Sequence, residues 1–353
     1  MTPQTTLEDR RASARDALER CQALVEPALK EAVGTLHPWP RRMVGYALGW
    51  CEADGSPAAT AGGARGSVRP WPSSAPRPRG APEEAAVAAA VAVELVHTFT
   101  LVHDDIMDGD ERRRHRDSAW KAFGTGPAVL AGDALFALAA ETLARGGGAR
   151  SGAAVGLLAA ALRELVHGQA DDLLFEDRPW TGPEAVTLPE YLAMAAGKTG
   201  SLLGCALALG PVLAGAHPPV VLALTEAGRL LGTAFQAVDD VLGTWGDPRA
   251  TGKPVHGDLF RKKKTLPVLA ALSASTPDSR ELAALLSSPA PLTEATAHRA
   301  ATLMERTGAR TATLTQARTL IAAACDHLTS APLAPGAADE LMGLSEYLLA
   351  RYV

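Results

Sequence analysis

Two aspartate pairs embedded in long apolar stretches constrain this chain more than any other feature. They are Asp104-Asp105 in LVHDDIMDGDERRRH and Asp239-Asp240 in FQAVDDVLGTWGDPRATGK. The residues before each pair, ELVHTFTLVH and LLGTAFQAV, read as buried helix. Asp104 and Asp108 are four apart, so a helix sets them one turn apart on one face with Asp105 beside them. Uncompensated carboxylates at such sites would cost several kcal/mol or stay protonated. A hard divalent cation removes that penalty, and Mg²⁺ takes one or two carboxylates plus phosphate oxygens and water. The pattern therefore predicts Mg²⁺ and a phosphorylated ligand together. An isolated DDxxD is more often a solvated acidic turn. Here Arg112-Arg113-Arg114 follows one motif and Lys262-Lys263-Lys264 the other, and such cations can grip phosphate oxygens directly.

Composition points to helices. Of 353 residues 47% are hydrophobic and only 5% aromatic, with alanine and leucine dominant and alternating β-branched runs scarce, which favours an all-α chain with one large core. A net charge of −5 argues against a nucleic-acid partner. Cys21, Cys51, Cys205 and Cys325 lack metal-ligand spacing and read as reduced thiols of a cytoplasmic protein. The N-terminus is charged, with no apolar signal-like stretch. Leu202 to Leu224 is strongly apolar but broken by Pro211, His217, Pro218 and Pro219, so two core helices joined by a turn are expected rather than a membrane span. Helices are expected over Leu18–Trp50 (broken near His37–Pro40), Ala85–Met107, Pro127–Leu143, Ala153–Leu174, Leu188–Ala214, Val220–Leu242 and Lys264–Ala274, with more towards the C-terminus. One domain over residues 1–353 is expected, an all-α bundle with ligands on facing helices.

From about Val93 to Pro267 the chain resembles the trans-prenyl diphosphate synthases, through ELVHTFTLVHDDIMD, Arg113-Arg114, HGQADDL, GKTGSLL, FQAVDD, GDPRATGKP and GDLFRKKKTLP in order. The resemblance implies an isoprenoid-synthase-type bundle around a central cavity, a homodimer, and Mg²⁺, as three ions, at Asp104, Asp105, Asp108, Asp239 and Asp240. It implies that Arg113, Lys198, Lys253 and Lys263 hold an allylic diphosphate, and that Arg114 and His97 hold isopentenyl diphosphate. Thr199 and Gln236 read as positioning groups, with a satisfied buried amide an equal reading of Gln236. Asp172 matches the family position in HGQADDL, a helix-surface role being the alternative for it and Asp171; Lys262 and Lys264 read as solvated or steering charges.

Two departures stand out. Gly243 replaces the third aspartate of the second motif. Segment 64–80, ARGSVRPWPSSAPRPRG, has four prolines, four arginines and no carboxylate where the family has GGKxxRP and a core helix. Ala64 stands for its lysine and Ser67 for its arginine. A divergent loop and an out-of-frame reading of a GC-rich gene are equal explanations of that composition.

The implied reaction is ionisation of the allylic diphosphate, attack by the double bond of isopentenyl diphosphate, and loss of a proton. Phe99 and Thr100 lie five and four residues before Asp104, towards the expected pocket floor. One ring beside one small residue resembles the family members that make geranylgeranyl diphosphate, with farnesyl diphosphate as second choice. Rival readings are a class I terpene cyclase, which needs no second substrate site, and a non-catalytic partner subunit. Arg113-Arg114, His97 and GDLFRKKKTLP stand against the first, and retention of both aspartate motifs against the second.

Overall fold

A computed structural model describes residues 7–58, 83–247 and 255–331, with 333, 338 and 341–343. Segment 64–80 and Lys253 lie outside the described residues. The elements are α1 (Leu7–Gly34), α2 (Pro38–Ala47), α3 (Glu83–Met107), β1 (Arg112–Arg113), β2 (Arg116–Asp117), α4 (Ala119–Phe123), α5 (Thr125–Gly146), a 3₁₀ turn (Gly148–Arg150), α6 (Ser151–Glu176) and α7 (Leu188–Ala195). A π turn (Ala196–Gly200), α8 (Ser201–Ala214), α9 (Pro218–Trp245), α10 (Gly257–Phe260), α11 (Leu266–Ser273), α12 (Pro277–Ser287), α13 (Glu294–Arg306) and α14 (Ala309–Ser330) follow. The chain is all-α, with one two-residue hairpin as its strand pair among the described residues. It forms two compact units, one of Met1–Ala159, Cys205–Leu222 and Leu333–Leu344, the other of Ala160–Gly204, Ala223–Pro332 and Ser345–Val353.

In the first unit α3 and α5 run antiparallel at close range. A Cβ on Gly132 would meet the His103 ring at 2.1 Å, and one on Gly146 would meet the Ala88 Cβ at 2.4 Å. The paired positions move in opposite directions along the chain, which only antiparallel helices allow. Val91, Ala92, Val93, Leu95 and Val96 of α3 are at most 1% exposed. Three segments, Glu84–Met107, Thr125–Gly146 and Leu188–Ala214, are long and apolar enough to cross a membrane. The first and third bury 61% and 67% of that apolar window inside the protein.

The hairpin after α3 comes from residues 112–117. Arg114 and His115 both take positive φ (51° and 64°), as a two-residue turn matching strand twist requires, although side chains make that region costly. Arg116 offsets the cost by bonding the Cys51 carbonyl at 2.8 Å and Glu52 at 2.9 Å, and by lying 4.2 Å over the Tyr46 ring. The Tyr46 hydroxyl donates to the Asp117 carbonyl at 2.7 Å.

In the second unit, glycines set the closest helix approaches. A Cβ on Gly228 would meet the Leu203 carbonyl at 2.5 Å, one on Gly232 the Gly200 Cα at 2.6 Å, and one on Gly168 the Lys198 nitrogen at 2.2 Å. The helix expected over Leu188–Ala214 is interrupted here by the π turn. A π turn widens the helix and re-aims its side chains, and it carries Lys198 and Thr199. Phe175, Tyr191, Met194, Ala234, Val238, Leu266 and Leu269 share the core beneath it.

Candidate active site

The end of α3 keeps its helical turn past the last helical residue, because the Asp108 amide donates to the Asp104 carbonyl at 2.8 Å. Asp104 and Asp108 are half-buried, whereas Asp105 is 3% exposed. Arg113 donates from Nε to both Asp105 oxygens (2.8 and 2.9 Å) and from Nη2 to Oδ1 at 2.6 Å. Burial pushes the Asp105 carboxyl up, with the guanidinium opposing it. Arg113, expected on the diphosphate, is thus engaged by the motif's central carboxylate.

The α9 motif repeats this division. Asp239 is exposed and Asp240 is 3% exposed. Asp240 Oδ2 accepts from the Tyr191 hydroxyl and from the Leu266 amide at 2.8 Å, and Oδ1 accepts from Gln236 Nε2 at 3.1 Å. All three donors are neutral, so burial outweighs them and pushes Asp240 up to about 7. Tyr191, wholly buried beside that carboxylate, is driven well above its ordinary value. Gln236 also accepts from Thr199 Oγ1 at 2.8 Å. Thr199, Gln236, Asp240, Tyr191 and the start of α11 therefore form one hydrogen-bonded chain that fixes α9 against the π turn.

Gly243 at the third motif position makes room for another acid. A Cβ there would lie 1.8 Å from Asp258 Oδ2. Asp258 also accepts from Arg261 Nη2 at 2.9 Å.

Lys198 pairs with Asp172 Oδ2 at 2.7 Å; Lys263 lies 3.9 Å from the same oxygen and 2.5 Å from Glu176 Oε1. Lys262 and Lys264 are not the solvated charges expected from a lysine run. Lys262 Nζ donates to the Ser288 and Ala290 carbonyls, and Lys264 Nζ donates to the Glu176 carbonyl at 3.0 Å while sitting 4.3 Å over Trp180. Unpaired carbonyls at helix ends draw such cations. Burial accordingly lowers the Lys264 amine. Asp171 is exposed.

His97 is half-buried on α3, and Thr100 Oγ1 donates to its carbonyl at 2.8 Å. The Phe99 ring packs edge-on against His103 (4.8 Å) and tilted against Phe136 of α5 (5.7 Å). His103 Nε2 meets the Val129 carbonyl at 3.1 Å. Phe136, Tyr191 and Glu176 escaped the sequence reading because their contacts bridge 37, 49 and 87 residues. No local motif marks them.

Among the described residues no three Asp, Glu, His or Cys side chains converge on one point. The half-buried Asp104 and Asp108 and the exposed Asp239 are hard oxygen donors of the kind a divalent cation takes alongside phosphate oxygens and water. Acidic motifs paired with anchored lysines on a helical scaffold are the equipment of a prenyl-transferring enzyme that handles diphosphates. The comparisons agree. Residues 73–304 match the family model for polyprenyl synthetase. A geranylgeranyl diphosphate synthase of Mycobacterium tuberculosis is 43% identical over 295 residues, 82% of each chain. A (2E,6E)-farnesyl diphosphate synthase of Mycobacterium bovis is 40% identical over 334 residues, 93% of this chain and 90% of the relative. A polyprenyl synthetase structure from Streptomyces coelicolor A3(2) superposes with a TM-score of 0.85 at 40% identity, covering 95% of this chain and 99% of that one. The chain belongs to the polyprenyl synthetase family of trans-isoprenyl diphosphate synthases, as a short-chain prenyltransferase of isoprenoid biosynthesis.

Proposed function

We propose that this prenyltransferase condenses isopentenyl diphosphate with an allylic diphosphate to give geranylgeranyl diphosphate, using three Mg²⁺ ions. The observation that carries the product length is the Phe99 ring, five residues before Asp104 and packed against His103 and Phe136, with the small Thr100 next to it in the chain. One bulky ring leaves more depth than two, and the Mycobacterium tuberculosis relative carries the same product in its name. Farnesyl diphosphate is the second reading, favoured by the relative named for it.

Bound metal would neutralise the charge that accumulates on the leaving diphosphate. Asp104, Asp105, Asp108, Asp239 and Asp240 make up its two motifs, direct contact falling to Asp104, Asp108 and Asp239 because they are half-buried or exposed where Asp105 and Asp240 are buried. Lys198, Lys253 and Lys263 hold the allylic diphosphate, Arg113 being engaged by Asp105, while Arg114 and His97 hold isopentenyl diphosphate. As the allylic carbon–oxygen bond breaks, the double bond of isopentenyl diphosphate attacks the freed carbon and its proton passes to the departing diphosphate. Val129, Leu130 and Phe136 expose an apolar face on α5, which supports a homodimer. Cys21, Cys51, Cys205 and Cys325 as reduced thiols support a cytoplasmic protein.

Incubation with labelled isopentenyl diphosphate, an allylic primer and Mg²⁺, followed by chromatography of the dephosphorylated products, tests the reading. The expected product has twenty carbons, and Asp104→Ala and Asp239→Ala each abolish it. Near-normal turnover in both variants, or cyclised hydrocarbon from the primer alone, refutes it.

A further inference from the structure

The three consecutive lysines have divided roles. Lys262 and Lys264 are tied to backbone carbonyls on either side, Ser288 and Ala290 for one and Glu176 for the other. The backbone between them is thereby fixed, and Lys262 itself holds a positive φ of 51°. Lys263 is delivered to two carboxylates one helical turn apart on α6, Asp172 and Glu176. These acids are not equivalent. The Asp172 side chain is 18% exposed and is shared with Lys198, whereas that of Glu176 is 44% exposed and pairs with Lys263.

A half-exposed carboxylate is a weak partner for an ammonium group, while a diphosphate carries more charge and several acceptor oxygens. A lysine meeting both exchanges the first for the second. Asp172 lies deeper, keeps its bond to Lys198, and stays. We propose that Glu176 is a displaceable counter-ion, a positioning residue that holds Lys263 extended in the empty site and yields it to the incoming diphosphate. It thereby weakens the grip on allylic and inorganic diphosphate and hastens release of the latter. The inference rests on the reading of Lys263 as a diphosphate ligand.

Calorimetric titration of inorganic diphosphate in Mg²⁺ into the full-length protein tests it without turnover. Glu176→Gln removes the competing charge and should tighten binding about two- to fivefold, the worth of an exposed ion pair, and lower KM for the allylic substrate with kcat unchanged or reduced. Lys263→Ala should weaken binding more than about tenfold, as loss of a charge-assisted hydrogen bond does, and in that background Glu176→Gln should no longer tighten it. Unchanged or weaker binding in Glu176→Gln, with Lys263→Ala weakened, overturns the counter-ion role and leaves the ligand reading standing. So does equal tightening with and without Lys263, which would reflect a general field. If neither single variant moves, Lys263 is not a diphosphate ligand and the proposal falls with that reading.

Discussion

Replacing Asp240 by asparagine should stabilise the metal-free protein, increasingly so as pH rises. The Asp240 carboxyl is 3% exposed and titrates at about 7, against about 3.9 in an unfolded chain. Between those values the folded protein holds a proton that the unfolded chain has released, so stability is greatest at low pH and falls as pH climbs towards 7. About three pKa units at about 1.4 kcal/mol each make the full penalty of ionised Asp240 about 4 kcal/mol. About half of it is already present at pH 5.5 and nearly all of it at pH 8, a difference of about 2 kcal/mol. Asparagine carries no such charge. Its carbonyl can accept from Tyr191 and the Leu266 amide, and its amide can donate to Gln236 once that side chain turns over. Thermal unfolding in chelator should show the variant ahead of the wild type, with a gap that widens between pH 5.5 and 8. Adding Mg²⁺ with inorganic diphosphate should raise the midpoint of both proteins, because the proposed direct contacts at Asp104, Asp108 and Asp239 remain in the variant. A gap constant with pH, or one that closes as pH rises, would refute the burial of a costly carboxylate at this position.

Restoring the missing third aspartate by Gly243→Asp should not improve activity, because its Cβ would collide with Asp258; a lower midpoint and weaker Mg²⁺ dependence are expected, and higher turnover would show Asp258 to be irrelevant. Phe99→Ala and Phe136→Ala should each lengthen the product and Thr100→Phe shorten it; chromatography showing neither shift removes the Phe99–Phe136 stack from the pocket floor. Ala64→Lys with Ser67→Arg, followed by an apolar helix, should lower KM for isopentenyl diphosphate, each regained charge-assisted contact being worth about 1.5–3 kcal/mol; an unchanged KM would mean that other residues hold that substrate.

Much of this architecture is written locally. Apolar runs with helical spacing mark α3 and α9, and the four-residue step from Asp104 to Asp108 survives as a backbone hydrogen bond past the end of α3. Other features depend on contacts no window of sequence contains. AGKTG reads as uninterrupted helix, yet Gly168, Gly197 and Gly200 let backbones approach until the turn widens to a π turn. The second aspartate of each pair looks like the first, but only the folded chain brings Arg113 to one and Tyr191 to the other.

The lysine run shows why charge is the hardest property to read. Three identical side chains in a row suggest one solvated patch. A left-handed residue at Lys262 turns each in its own direction, towards the Ser288 carbonyl, the α6 carboxylates and the Glu176 carbonyl. Two of the three are therefore tied to backbone carbonyls, and the one between them meets the α6 carboxylates. For an acid or base in such a site, sequence specifies that a charge is present, and backbone direction decides what it meets. The same reasoning separates Asp105 from Asp104: a carboxylate bonded through both oxygens to a guanidinium is buried and holds the motif in shape, whereas its neighbour is only half-buried.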